Sequence, residues 1–164
     1  MSTLIGEGLR TATATDAARL VHLWRLLSAQ VFDEVLGEDD SPTTTGWEQH
    51  ARDWLTHAIE DRTTAHVPVV EVEGVIVATA VGTLELGVPN PMCPRGRVVR
   101  LANVITVPEH RGKGFGTLLV RDVVGWARTI GADRVDLSAT PDGQQLYEKV
   151  GFGPTTAPRM KMVL

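Results

Sequence analysis

One segment restricts the possible folds more than any other part of this chain: VITVPEHRGKGFGTLLVRDVV, residues 104–124. A strand-like apolar run at 97–107 leads into this segment. Three alternating glycines follow, and then a helix that ends near Ile130. A second strand-like run follows at 133–140. Strands joined by such a crossover helix lie parallel in one sheet, and the crossover is right-handed. The sequence therefore predicts one parallel strand pair.

Periodicity elsewhere predicts a mixed sheet covered by helices. Apolar residues three and four positions apart follow a capping Thr15-Asp16 pair, as in an amphipathic helix. The Val- and Thr-rich segment 65–86 is typical of a hairpin that turns at Glu73-Gly74. The other predicted elements are a strand at 8–14, an acidic loop at 37–46, a helix at 47–60, a short helix with Pro141 in its first turn, and a closing strand at 154–164. The predicted class is α/β, an α+β mixed sheet that is mostly antiparallel with one parallel crossover.

Composition sets the broad class of protein. The chain has 164 residues, 43% hydrophobic and 22% charged, which is typical of a globular protein, and we expect a single domain over 1–164. The net charge of −4 argues against a nucleic-acid partner, because such proteins usually carry a basic excess. Cys93 is the lone cysteine, and the sequence has neither a signal-peptide pattern nor a membrane-length apolar run. We therefore expect a cytoplasmic protein without membrane contact.

The turn Arg111-Gly112-Lys113-Gly114-Phe115-Gly116 predicts an anion site. Glycines permit close approach to the backbone, and the N–H groups at a helix N-terminus favour phosphate. A tight turn without a ligand is the alternative that these residues leave open. A Walker loop does not fit, because Gly114 rather than Ser or Thr follows Lys113. A dinucleotide fingerprint does not fit either, because Thr117 stands where its third glycine would be.

Two motifs together resemble the GNAT family of acetyl-CoA-dependent N-acetyltransferases. The run from Arg111 to Gly116 satisfies that family's [Q/R]-x-x-G-x-[G/A] signature, and Leu146-Tyr147-Glu148-Lys149-Val150-Gly151-Phe152 matches its L-Y-E-K-x-G-F element. The resemblance is strong over 97–153 and holds as element order elsewhere. It implies a GNAT-like acyl-CoA N-acyltransferase fold, in which two strands splay apart to admit the cofactor.

The resemblance also implies roles for individual residues. The backbone from Gly112 to Thr117 would hold the pyrophosphate of coenzyme A, the strand at 104–106 would pair with its pantetheine arm, and an N–H near Val104 would stabilise the oxyanion. Tyr147 would be the catalytic acid that protonates the departing thiolate; a half-buried packing role is its alternative. The implied acetyl-CoA-binding residues are Val104, Ile105, Thr106, Arg111, Gly112, Lys113, Gly114, Phe115, Gly116, Thr117 and Thr140.

Two positions depart from the family pattern. Thr140 stands where many relatives carry an asparagine that touches the cofactor, and Asn103 stands where many carry a glutamate base. Deprotonation of the amine is left to Glu85 through water or to solvent, and a solvated strand end is the simpler interpretation of Glu85. Trp24 or Trp47 could line an acceptor pocket instead of serving the core alone. The acidic run Glu38-Asp39-Asp40 could attract an amine cation, or be only a solvated loop.

The resulting prediction is an enzyme that transfers an acetyl group from acetyl-CoA to a primary amine of a small molecule or peptide, by direct attack in a ternary complex. The alternatives are a non-catalytic acyl-CoA sensor, and an acyltransferase that uses another acyl-CoA or an O-acceptor. The five histidines show no metal-ligand spacing, so no metal is expected. Relatives are commonly dimers, so the resemblance also allows a homodimer.

Overall fold

The computed structural model describes residues 7–31 and 46–164. Within them, the α-helices are Ala17–Val31 (α1), Trp47–Glu60 (α2), Phe115–Thr129 (α3) and Gln144–Val150 (α4). The strands are Glu7–Thr11 (β1), Ala65–His66 (β2), Pro68–Val72 (β3), Val75–Leu86 (β4), Arg97–Thr106 (β5) and Arg134–Asp136 (β6). Short 3-10 turns at Ala14–Asp16 and Pro108–His110 lead toward α1 and α3. No helix in these ranges is both long and apolar enough to cross a membrane.

These strands form one mixed sheet in the order β1-β3-β4-β5-β6, with β2 also paired to β4. β1, β3, β4 and β5 are antiparallel neighbours, whereas β5 and β6 are parallel, from Val98 opposite Arg134 to Arg100 opposite Asp136. The parallel crossover predicted from the glycine-rich segment is thus confirmed. The predicted hairpin is also present: Glu73 and Gly74 have φ of 50° and 77°, the left-handed pair of a tight hairpin turn.

The helices cover both faces of the sheet. A Cβ atom on Gly82 would lie 2.8 Å from Val123 of α3, so this position of β4 faces α3 at close range. The adjacent Val81 lines a cavity with Trp24 of α1 and Trp47 of α2, which places those two helices on the opposite face. Buried leucines and valines from both layers, including Leu20, Leu23, Leu55, Leu119, Val120 and Val123, fill the core.

Three predicted boundaries, one predicted cap and one predicted strand were wrong. β1 ends at Thr11 instead of reaching 14, and the predicted Thr15-Asp16 cap lies inside the following 3-10 turn, whose N-cap is Thr13. β6 ends at Asp136 instead of reaching 140, because its partner β5 diverges from it beyond Arg100. α4 begins at Gln144, so Pro141 lies in the turn before the helix and not in its first turn. Residues 154–164 contain no strand: Pro154 and Pro158 lack the N–H group that a sheet ladder requires. Most of the predicted acidic loop, 37–45, lies outside the described residues.

Candidate active site

A bulge interrupts β5 near its C-terminal end. Val81 pairs with Ala102 and Thr79 pairs with Ile105, so one residue of β4 faces two residues of β5, Asn103 and Val104. Asn103 has a φ of 53°, a left-handed conformation that asparagine tolerates better than most residues. The bulge changes the alternation of side chains along the strand, and it turns neighbouring residues toward different cavities.

Beyond the bulge, β5 has no pairing with β6, because the last parallel pair is Arg100 opposite Asp136. The divergence opens a cavity of about 580 Å³ between the end of β5, the glycine-rich turn and α4. Its lining residues are Leu27, Gln30, Val104, Ile105, Thr106, His110, Arg111, Gly112, Gly114, Phe115, Gly116, Thr117, Thr140, Asp142, Gly143, Gln145, Leu146, Tyr147 and Lys149. We call it the donor cavity.

The glycine-rich turn presents free backbone donors to this cavity. Within the described part of the chain, none of the N–H groups of residues 112–117 donates a hydrogen bond. Gly112 and Gly114 are left-handed, with φ of 76° and 85°, and a Cβ on either would extend into open space. Gly114 is also the N-cap of α3, so the helix begins without a side-chain cap. Such an arrangement of N–H groups and helix dipole binds anions, phosphate above all.

The two basic side chains of the turn differ. Arg111 lines the donor cavity, and its Nε donates to the carbonyl oxygen of Thr106 at 3.1 Å, which fixes the turn to the end of β5. Lys113 does not line the cavity: its Nζ lies 3.1 Å from Nδ1 of His110. His110, which the sequence interpretation did not select, does line the cavity.

Packing between two helices requires glycine at position 116. A Cβ atom there would lie 2.7 Å from Cδ1 of Leu146, so α3 and α4 meet at this glycine. The contact places the residue after Leu146, Tyr147, on the wall of the donor cavity. The third glycine therefore orients α4, whereas Gly112 and Gly114 leave open space beside the backbone.

Tyr147 is half-buried, with its ring edge-on to Phe152 at a centroid distance of 6.1 Å. Burial raises the pKa of its phenol above the ordinary value, because desolvation disfavours the phenolate. The hydroxyl therefore keeps its proton at neutral pH. Within the described residues that hydroxyl makes no hydrogen bond, so it is free to donate to a ligand.

Tyr147 and every residue proposed from the sequence to bind acetyl-CoA, except Lys113, line this one cavity. Sequence reasoning missed the neighbours of Tyr147 on α4 and its preceding turn, and proximity to the L-Y-E-K element could have suggested them. It also missed Leu27 and Gln30 of α1. No sequence signal identifies those two, because α1 reaches the cavity only through tertiary packing.

A second cavity, of about 360 Å³, lies on the other side of the bulge. Its lining residues are Trp24, Leu27, Ser28, Trp47, Ala51, Trp54, Val81 and Asn103. We call it the aromatic cavity. Both tryptophans that the sequence offered as pocket residues, Trp24 and Trp47, lie on its wall, and Trp54 meets Trp24 edge-on at 6.2 Å.

Other candidate groups lie elsewhere. Glu85 is exposed at the end of β4 and pairs with Arg100 at 3.3 Å, outside both cavities. Cys93 is buried, and its Sγ donates to a carboxylate oxygen of Asp133 at 3.0 Å. The run Glu38-Asp39-Asp40 lies outside the described residues. Over 7–31 and 46–164, no three His, Cys, Asp or Glu side chains cluster as a metal site would require.

Solved acetyltransferase structures share this fold. A predicted acetyltransferase with acetyl-CoA from Clostridium acetobutylicum is similar over 95% of this chain and 96% of that chain, with a TM-score of 0.80 at 22% identity. A GCN5-related N-acetyltransferase from Ralstonia eutropha JMP134 is similar over 96% and 99%, with a TM-score of 0.80 at 23% identity. The architecture is thus the mixed, splayed sheet of an acyl-CoA N-acyltransferase, as the sequence predicted.

The sequence gives the family directly. The profile described as the Acetyltransferase (GNAT) family matches residues 30–152, which is most of the chain. The chain therefore belongs to the GNAT acetyltransferase family, and the resemblance found in the motifs is confirmed. A curated relative, "Uncharacterized N-acetyltransferase YobR" of Bacillus subtilis (strain 168), is 40% identical over 57 residues, or 33% of this chain. The match spans 23% of that relative's length.

Proposed function

We propose that this protein transfers an acetyl group from acetyl-CoA to a primary amine of a small molecule or peptide, by direct attack while both substrates are bound. One observation carries the proposal: a single cavity is lined by the open N–H groups at the start of α3 and by the protonated phenol of Tyr147. The first group suits a pyrophosphate, and the second suits a departing thiolate. Family membership supports acyl transfer in general.

The donor cavity fits the chemistry of coenzyme A. Open space beside Gly112 and Gly114 leaves room for phosphate oxygens next to backbone donors. The segment 104–106 lines the same cavity and has no β6 partner, so its backbone is available to an extended arm, as an exposed strand edge is. We assign the pyrophosphate to residues 112–117 and the pantetheine arm to 104–106, with Arg111 and Thr140 on the wall.

Residues of this chain then perform two chemical tasks. The backbone N–H at Val104, in the bulge, stabilises the negative charge that develops on the acetyl oxygen. As the C–N bond to the amine forms and the C–S bond breaks, Tyr147 donates its proton to the sulfur. A raised pKa suits this role, because the phenol stays protonated and ready to donate at neutral pH.

The amine must lose a proton, and Asp142 is the one carboxylate among the described residues that line either cavity. It is exposed in the turn before α4 and does not line the aromatic cavity. Glu85 faces away toward Arg100, and Asn103 cannot act as a base. We propose that water accepts this proton, because a largely apolar cavity favours the neutral form of a bound amine over its ammonium form.

Acetyl-CoA binding measured by calorimetry, followed by thiol release with a panel of amines, tests this function. We expect binding and amine-dependent release. Binding without release from any amine would favour the acyl-CoA sensor, and release with other acyl-CoAs or with alcohols would favour the wider acyltransferase. Absence of binding in folded protein would reject the donor site itself.

Replacing Tyr147 with phenylalanine tests the acid. Tyr147→Phe keeps the ring against Phe152 and removes only the hydroxyl, so we expect kcat to fall by roughly 100-fold with acetyl-CoA affinity retained. The wild-type rate should not decline between neutral pH and about pH 9, because the phenol pKa lies above its ordinary value near 10. A Phe variant with wild-type kcat would assign the proton to water instead.

A further inference from the structure

We propose that the acceptor is a small apolar primary amine of the arylalkylamine type, whose ring lies among the three tryptophans of the aromatic cavity. This inference rests on the proposed acetyl transfer and names the substrate class of the same site. Four observations carry it: the position, chemistry and size of the cavity, and the way α1 and α2 hold its walls.

The position is suitable for an acceptor because the two cavities adjoin. Leu27 lines both of them. Asn103 lines the aromatic cavity and the next residue, Val104, lines the donor cavity, so the bulge in β5 separates them by a single residue step. A molecule with its ring among the tryptophans can therefore extend its amine past Asn103 toward an acyl group held along residues 104–106.

The wall chemistry favours an apolar body. Among the described residues that line the aromatic cavity, none carries a charge, and three are tryptophans. The Ser28 hydroxyl already donates to the carbonyl oxygen of Trp24 at 2.9 Å, which leaves the Asn103 amide as a polar group for the amine end. A polyamine or an amino sugar would bury further charges or hydroxyls without partners there, at a cost in binding. An aromatic ring would instead find edge and face contacts with indoles.

The size favours a small molecule. A volume of about 360 Å³ is near the lower end of small-molecule cavities, which run from about 300 to 1,000 Å³. That space accommodates one ring with a short alkyl chain and leaves little for a larger acceptor. A peptide amine would have to place an aromatic first residue in the cavity and its remaining chain outside it.

An ion pair between α1 and α2 helps to hold the walls in place. Arg25 Nη2 donates to Glu48 Oε1 at 2.8 Å, and each partner is adjacent in sequence to a cavity tryptophan, Trp24 and Trp47. Trp54 completes the wall from α2 and is 38% exposed, so it can be changed with little effect on the core. It is therefore the residue of choice for a test.

The test measures binding and turnover for three probe amines: 2-phenylethylamine, ethanolamine and spermidine. Binding is measured by calorimetry on protein loaded with free coenzyme A, and turnover as thiol release from acetyl-CoA. We expect 2-phenylethylamine to bind and react at least about 10-fold better than the other two, since a buried aromatic anchor dominates such contacts. Trp54→Ala should lower its kcat/KM about 10-fold or more, with acetyl-CoA affinity unchanged.

Two further variants make the result specific. Trp54→Phe keeps an aromatic wall and should recover most of the activity toward 2-phenylethylamine. Leu26→Ala removes an exposed apolar side chain of α1 that does not line the cavity, and it should match the wild type. If Leu26→Ala loses as much activity as Trp54→Ala, the effect is general destabilisation and the proposal falls.

The outcomes separate this inference from the acetyl-transfer proposal. Thiol release with ethanolamine or spermidine, at equal or higher efficiency than with 2-phenylethylamine, would overturn the acceptor class and leave acetyl transfer standing. Failure of 2-phenylethylamine to bind the coenzyme A-loaded protein would likewise overturn it. Failure of acetyl-CoA itself to bind would reject the proposed function, whatever the aromatic cavity accepts.

Discussion

The N-termini of the first and third helices differ in whether the chain itself supplies acceptors for the backbone N–H groups there. Near α1, Thr13 is the N-cap of the leading 3-10 turn, and the third residue after it, Asp16, accepts the Thr13 N–H at 2.7 Å. Arg10 donates to both oxygens of the same carboxylate, at 2.7 and 3.0 Å. At α3, the N-cap is Gly114, the third residue is the uncharged Thr117, and the N–H groups of 112–117 find no acceptor in the described chain.

We infer that the difference separates a structural helix start from one that binds a ligand. A carboxylate at the third position satisfies donors and the helix dipole from within the chain, which stabilises the fold and leaves no place for an external anion. A glycine N-cap with no acid leaves the same donors and dipole available to a phosphate. On this proposal, the residue types at equivalent helix positions distinguish the helix N-terminus that binds a ligand from the one that does not.

Giving α3 the acid of α1 should have the largest effect. Thr117→Asp puts a carboxylate at the position that Asp16 occupies relative to its N-cap. We expect acetyl-CoA affinity to fall by roughly 100-fold, the consequence of losing about 3 kcal/mol of hydrogen bonding to a charged group. Thermal stability should stay the same or rise slightly, because the acid complements the helix dipole. Calorimetry and a melting curve measure the two quantities.

Thr117→Asn is the matched control for that substitution. It has nearly the same shape without the charge, so it should retain most of the affinity. Equal losses in both variants would indicate a steric effect and not competition for the anion site. An Asp variant that binds acetyl-CoA as the wild type does would refute the assignment of the pyrophosphate to this helix start.

Removing the charge from the α1 start should affect stability and leave binding intact. Asp16→Asn weakens the pair with Arg10 and the Thr13 contact, and we expect about 1–2 kcal/mol less stability in denaturant unfolding. Under conditions in which the variant is folded, its affinity for acetyl-CoA should be unchanged, because Asp16 does not line the donor cavity. A comparable loss of affinity would mean that the two helix starts are coupled through the sheet.

The pH dependence of stability sharpens the same contrast. Hydrogen bonds from Arg10 hold the pKa of Asp16 below its usual range. A carboxyl group whose pKa is lower in the folded state contributes stability above its unfolded pKa of about 4, and that contribution is lost as pH falls through the folded value. The difference in free energy of unfolding between wild type and Asp16→Asn should therefore be largest at neutral pH and disappear in acid. A difference that persists unchanged below about pH 2 would contradict this origin.

The smallest effect is expected for the charge of Lys113. Its Nζ contacts His110 and the side chain is off the cavity wall, so Lys113→Gln should lower acetyl-CoA affinity by about fivefold at most, as for an exposed charge. Titrations at two ionic strengths would check it. A loss as large as that of Thr117→Asp would mean that side-chain charge, and not the row of N–H groups, dominates the site.

Local patterns predicted much of the fold and of the donor site. Alternating glycines between a strand and a helix predicted the parallel crossover, because few conformations connect those elements. The family resemblance carried by the two motifs proposed Tyr147 and eleven acetyl-CoA-binding residues, and Tyr147 and ten of those eleven line the donor cavity. Lys113 was the exception, since nothing in the motif reveals that its side chain turns to His110. The prediction of a closing strand at 154–164 was wrong because that segment contains two prolines, which cannot donate to a sheet ladder.

The sequence by itself determined the order of elements, the open helix start of α3 and the chemical character of the residues in its turn. These properties depend on neighbours within a few positions, where backbone geometry and side-chain type act directly. Only the tertiary structure decided where β5 and β6 part, which way the bulge at Asn103 and Val104 directs its side chains, and that Trp24, Trp47 and Trp54 enclose one cavity. Those features arise from packing between elements far apart in the chain, and local sequence patterns do not predict such long-range contacts.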